Sequence, residues 1–199
     1  SLTLLSARPG GYTDPIDSHG RGSMNLVERL KGILLAPNAE WPKIAAEPMT
    51  TQGIYTGWVM ILGAIGPLAM LLGFGSVGFA ITQYVIMLAM TAIIALIVDF
   101  LTPWFGGQKD FVAALKLSAF SYTAAFVAGV LHVLGAAAGL LILAASIYAW
   151  YTFYLGAPVL KKCAPEKAVA FTIVVVLCGM VLGVLIGISA SRGGLAPPM

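Results

Sequence analysis

Asp99, in the stretch "IVDFLTPWF", ends a run that carries no charge back to Glu47. An ionisable side chain at the edge of so long an apolar segment is a candidate for handling a proton, an ion or a ligand. A carboxylate there needs a donor, and Tyr122 and Thr123 are the nearest hydroxyl residues the pattern offers. The plainer reading is an interfacial carboxylate reached by water and by Lys109 or Lys116, because Asp99 falls in the last turn before Pro103. Tyr148 and Thr152, in a later apolar run, extend the set of polar groups to Asp99, Tyr122, Thr123, Tyr148 and Thr152. These could line a polar path through a helical bundle, although hydroxyls in membrane helices commonly bond to a neighbouring backbone carbonyl.

Other chemistry is sparse. His132 is isolated from any other imidazole in its segment, and one ring makes neither a metal site nor a catalytic pair. Cys163 and Cys178 fall at different depths of the expected fold and sit in no CxxC or ligand-spaced pattern, so they read as unpaired thiols. No GxSxG, HExxH, phosphate-binding loop or pair of intramembrane carboxylates occurs. The expectation is a protein without catalytic residues, metal or cofactor. Gly179, Gly183 and Gly187 form a doubled GxxxG on one helical face, which suits either close packing within a bundle or a homodimer contact.

The elements that must position these residues follow from composition. The 199 residues are 59% hydrophobic and 10% charged, where soluble domains run near half apolar and about a quarter charged. Lipid has to be the solvent. The uncharged run between Glu47 and Asp99 accommodates two helices and a turn at "GFGSVG", residues 73–78. The run between Lys116 and Lys161 accommodates another pair, with its turn near "HVLGAAAG", residues 132–139, and a fifth span runs from Ala168 to about Ser189. Pro67 is expected to kink the first span.

Ahead of the spans, "MNLVERLKGILLAP" places Leu26, Val27, Leu30, Ile33 and Leu34 on one helical face opposite Glu28, Arg29 and Lys31. Such a helix either lies on the membrane surface or packs against a partner protein or its own cytosolic loops. A second short helix follows Pro37, with Asn38 as its expected cap and Trp41 suited to the headgroup layer. Residues 1–23 lack periodicity and read as a leader or added remnant. The resulting division is 24–48 as the amphipathic interfacial region, 49–190 as the five-helix domain and 191–199 as a tail. The fold class is therefore all-α membrane protein, five transmembrane helices preceded by one or two short amphipathic helices.

Sidedness follows from the basic residues. Arg29, Lys31, Lys43, Lys109, Lys116, Lys161, Lys162 and Lys167 all fall on one side, against Arg192 on the other. That bias predicts a cytoplasmic N-terminus and an extracytoplasmic C-terminus. Lys161, Lys162 and Lys167 read, with Trp41, as interfacial anchors, and Tyr148, Trp150, Tyr151, Phe153 and Tyr154 as an aromatic belt beside them. Nucleic acid is excluded as a partner by the spread of the basic residues.

Three segments carry a family resemblance: "PNAEWPKIAAEP" before the first span, "LKLSAFSYTAAFVAGVL" in the third, and "YAWYTFYLGAPVLKKCAPEKAVAFTIVVVL" across the fourth and fifth. Together they resemble the bacterial branch of the Yip1 family, from Met24 to about Gly187. The resemblance implies a five-helix integral membrane domain with a cytoplasmic N-terminus, placed in the bacterial inner membrane. Eukaryotic members act as membrane adaptors that engage prenylated Rab GTPases, and they carry an Asp-Leu-Tyr-Gly-Pro motif before or in the first span that this chain lacks. Bacterial members usually carry Pro soon after the Tyr-Ser/Thr of span three, whereas this chain reads Tyr122, Thr123, Ala124, Ala125. The expected role is organising membrane lipid or binding a protein partner at the cytoplasmic face; the alternative is a small transporter or channel with a path past Asp99 and Tyr122.

Overall fold

The computed structural model describes residues 26–192, which are mostly helical with no strand among them. The expected leader over residues 1–23 and most of the expected tail lie outside the described residues. Two short helices, α1 (Leu26–Leu35) and α2 (Pro37–Ala46), precede five helices long and apolar enough to cross a membrane. These are α3 (Thr51–Gly73), α4 (Val77–Phe105), α5 (Phe111–Leu134), α6 (Gly139–Lys161) and α7 (Pro165–Ser189). Each of the five is apolar around most of its circumference. Side chains such as Leu72, Ile81, Leu96, Leu140 and Val184 stay exposed on the outside of the bundle, the arrangement expected where lipid is the surrounding solvent.

The breaks between spans have local causes. Gly75 ends α3 with φ +68, a left-handed conformation that favours glycine, and Ser76 accepts the Phe79 N–H to start α4. Asp110 caps α5 by accepting the Ala113 N–H at 3.0 Å. The α1–α2 elbow at Ala36 differs from the sequence expectation: α2 begins at Pro37 itself, a residue suited to the first turn, and no side chain caps it, so Asn38 is not the cap.

Two spans are irregular. In α3, residues Tyr55–Val59 form a π-turn, whose extra residue turns Tyr55 toward α4, where its hydroxyl donates to Leu88 O at 3.1 Å. The same turn points Trp58 at α5: its indole N–H reaches Thr123 Oγ1 at 3.2 Å, and its ring lies 4.7 Å from that of Phe120. A second interruption at Ala64 separates the helical pieces Met60–Gly63 and Ile65–Phe74, three residues before Pro67, as expected of a proline within a helix. The third span breaks at Tyr122 between Phe111–Ser121 and Thr123–Ala128 although no proline stands there.

The core is asymmetric. It is dense where α2, α5 and α6 meet, around Trp41, Ile44, Leu115, Leu117 and Phe120, whereas α7 packs mainly along α4 and α6 and leaves much of its surface exposed. At one crossing the backbones of α3 and α5 touch: a Cβ added to Gly129 would lie 2.9 Å from Gly66 Cα. This is the small-residue approach by which helices associate in lipid.

Candidate functional site

The charged residues gather at the end of the bundle that holds α1, α2 and the α4–α5 and α6–α7 connections. Some of them form two clusters turned inward, while Glu28, Lys31, Lys162 and Lys167 stay exposed.

The first cluster fastens α1 and α2 to the spans. Arg29, which the periodicity of α1 places on the solvent side, is 3% exposed. Its guanidinium lies between Glu40, at 3.2 Å, and the carboxylate of Glu47, and sits 5.9 Å from the Phe120 ring centre. The reason for the inversion is the elbow at Ala36, which folds α2 back so that Glu40 faces α1. Gly32 makes room for it, since a Cβ there would meet the Glu40 carboxylate at 2.6 Å. Lys43 bonds Glu40 from the outside at 3.0 Å. Lys116, buried in α5, donates to Ile44 O at 2.9 Å and Glu47 O at 2.5 Å, so a cation closes the C-terminal end of α2.

Trp41 is also corrected by the fold. It is 1% exposed and packs on Gly156 and Leu117 instead of anchoring at a headgroup layer. Its neighbour Gly156 is required to be small, because a Cβ there would meet the indole at 2.6 Å. The elbow reaches far along α6: the Tyr148 hydroxyl donates to Leu34 O at 2.9 Å. Tyr148 lies about 20 Å up the helix from Lys161 at 1.5 Å per residue. Thus α1 packs through Arg29 and Ile33 on its own spans, while Val27 and Leu35 remain exposed.

The second cluster joins spans two, three and four. Lys161, expected to face headgroups and water, has no exposed surface. Its ammonium donates to Asp99 Oδ1 at 2.7 Å and to Asp110 O at 2.8 Å, and Asp110 N–H donates to the same Asp99 oxygen at 2.7 Å. Lys161 turns inward because α6 ends there: Lys162 takes the left-handed conformation, φ 53, and the Lys161 carbonyl accepts the Gln108 N–H at 2.9 Å. Lys162 and Lys167 remain exposed. Cys163 is buried beside this junction, and burial pushes its thiol above the ordinary cysteine range.

The polar residues singled out from sequence are not brought together. Asp99 belongs to the Lys161 junction, and Tyr148 to the α1–α6 contact. Thr123 accepts from Trp58 and donates to Phe120 O at 2.6 Å, while Thr152 donates to Ser121 O at 3.0 Å and Ala149 O at 2.8 Å. Tyr122 lines a separate cavity of about 340 Å³ between spans, together with Met87, Ser146 and Trp150. Of the expected aromatic belt, Tyr151 and Tyr154 face outward, whereas Phe153 is buried against Phe171. Gly179 meets Ile94 Cδ1 at 3.2 Å for an added Cβ, but Gly183 and Gly187 face open space. Among the described residues, no three His, Cys, Asp or Glu side chains gather as a metal site.

Sequence reasoning missed Arg29, Glu40, Glu47 and Lys116 as a cluster. Lys116 carried a signal, a lone lysine inside "AALKLSAF", and such a cation in an apolar helix has to find an acceptor. A second cavity adjoins this cluster: a space of about 400 Å³ bounded by Arg29, Glu47, Thr50 and the π-turn residues Gly57 and Trp58.

Five apolar spans, with Asp99 and Lys161 paired at one end, define a multi-pass helical membrane protein. More narrowly, the family model described as Yip1 domain matches residues 31–186, and the chain belongs to that family. No curated protein and no solved structure matches the chain.

Proposed function

We propose that the protein is non-enzymatic and uses its α1–α2 end to organise lipid or to hold a membrane-associated partner, with that end in the cytoplasm and the spans in a bacterial inner membrane. The sidedness rests on the bias of Lys and Arg toward this end. One observation carries the functional reading. The helix pair is docked as part of the core by Trp41, Ile44 and the Arg29 cluster, and it presents an outer surface that includes Glu28, Lys31, Asn38 and Lys43. Ionisable groups that could do chemistry here are engaged in holding helices together, which suits a rigid platform better than a reactive site.

The test is extraction of the tagged protein into native lipid particles, with mass spectrometry of the protein and lipid that co-purify in stoichiometric amount. Deleting α1 and α2 is a poor control because it removes core residues. The triple substitution Glu28→Ala, Lys31→Ala, Asn38→Ala changes only exposed positions. The expected result is loss of the companion with unchanged thermal stability. A companion retained in full by the triple variant would count against the platform.

A further inference from the structure

The cavity beside Arg29 is more than a gap in packing. It measures about 400 Å³ and lies where α1, the segment 47–50 and the start of span α3 meet. Its walls hold one cation, Arg29, and one carboxylate, Glu47, with Met49, Ile54, Trp58 and Phe120 supplying apolar surface. The π-turn Tyr55–Val59 provides Gly57 and Trp58 to the same wall, and single π-turns inside α-helices occur frequently at functional sites. Gly57 is exposed at the edge of this cavity, and an added Cβ there meets nothing within 4 Å.

We infer that this cavity takes the zwitterionic headgroup of a membrane lipid, its phosphate on Arg29 and its primary ammonium on Glu47. The inference rests on the lipid-organising half of the proposed function and names the lipid chemistry. Arg29 and Glu47 are paired with each other, and a headgroup carrying both charges can enter between them, exchanging one ion pair for two. The guanidinium keeps Glu40 at 3.2 Å on its other side, so it is not stripped of its counter-charge. The Glu47 backbone stays in place because its carbonyl is held by Lys116, while its side chain is 29% exposed. A purely anionic headgroup would stand against Glu47 unmatched. A quaternary ammonium could use the aromatic faces of Trp58 and Phe120 but has no N–H to give the carboxylate.

The experiment uses the full chain purified in neutral detergent and presented with equal amounts of phosphatidylethanolamine, phosphatidylcholine and phosphatidylglycerol of identical acyl chains. Native mass spectrometry then reads which lipid stays bound. Preferential retention of phosphatidylethanolamine is expected. Gly57→Phe should abolish that preference by crowding the edge of the cavity, and Glu47→Gln should bring retention down to the phosphatidylcholine level. Equal retention of all three lipids, preference for phosphatidylglycerol or phosphatidylcholine, or a preference that survives both substitutions overturns the inference. Displacement by an equal concentration of glycerophosphoethanolamine overturns the lipid assignment and points to a soluble zwitterion. A protein companion captured through α1 and α2 alongside unselective lipid retention removes this inference and leaves the platform reading standing. Selective retention with no effect of the outer-face triple variant does the reverse for partner binding.

Discussion

The ammonium of Lys161 lies 2.7 Å from Asp99 Oδ1, which ties the end of span four to the end of span two. The two partners are not equivalent. Lys161 has no exposed side-chain surface, whereas Asp99 is 22% exposed and also accepts from Asp110 N–H. Removing the carboxylate strands a fully buried cation; removing the lysine leaves an anion that water and a backbone donor can reach. Asp99→Leu should therefore cost about 3 kcal/mol, in the range for breaking a buried pair, and Lys161→Met distinctly less. Thermal unfolding of the two variants in the same detergent checks the order. Equal losses would show that burial does not govern this junction.

Gly107 closes that junction sterically. A Cβ there would meet Thr102 Cγ2 at 2.5 Å, Lys161 O at 2.6 Å and Cys163 Sγ at 2.9 Å. The carbonyl cannot retreat without lengthening its bond from Gln108 N–H. Gly107→Ala is expected to destabilise by about 2 kcal/mol, an overpacking cost, and a melting temperature equal to that of the parent would contradict the contact.

Docking of α2 depends on Gly156. Gly156→Val should push Trp41 off α6 and expose the chain around Lys43 to trypsin. Limited proteolysis followed by mass spectrometry would show cleavage there in the variant and protection in the parent. Resistance in both would mean that Trp41 is not what holds α2.

The glycines of α3, α5 and α7 divide by what they face. Gly129→Leu should disrupt the α3–α5 crossing, where the Gly66 backbone leaves no space. Gly183→Leu and Gly187→Leu should leave the monomer fold intact because nothing lies within 4 Å of either added Cβ. Light scattering of the last two also examines the dimer alternative: a change in oligomeric mass on substitution would show that this face meets a second copy.

Cys163 sets a dependence on alkaline pH. Burial favours its protonated thiol in the fold, so above the ordinary thiol range, near pH 8.5, the unfolded chain has released its proton while the folded chain still holds it. Stability contributed by this group falls as pH rises. Cys163→Ala should flatten the decline measured by chemical unfolding between neutral pH and pH 9.5. Maleimide should label Cys163 only after unfolding, and rapid labelling of the native protein would refute the burial.

Much of the fold is legible in the sequence for simple reasons. Long uncharged runs marked the spans, Gly75 lies in the first segment expected to turn, the 3-10 stretch Gly129–Ala138 overlaps the second, and Pro67 follows a real break in α3. Such signals are local: a run of apolar residues long enough for the bilayer becomes a helix because every backbone group must be satisfied within the segment. The break at Tyr122 and the π-turn at Tyr55–Val59 left no such mark. Neither involves a proline, and both depend on which neighbour a side chain must reach.

The inward turn of the charges belongs to a different category. By itself the sequence determined that this chain is a five-span helical membrane protein with its basic residues biased toward one end, because hydropathy and loop charge act on each segment separately. Only the tertiary structure decided that Arg29, Lys116 and Lys161 are buried and that Lys162 and Lys167 are not. Their acceptors, the Glu40 and Glu47 carboxylates, the Ile44 and Glu47 carbonyls and the Asp99 carboxylate, come from other helices. A cation leaves water where such acceptors converge to replace its hydration, and that convergence is a property of the packed bundle.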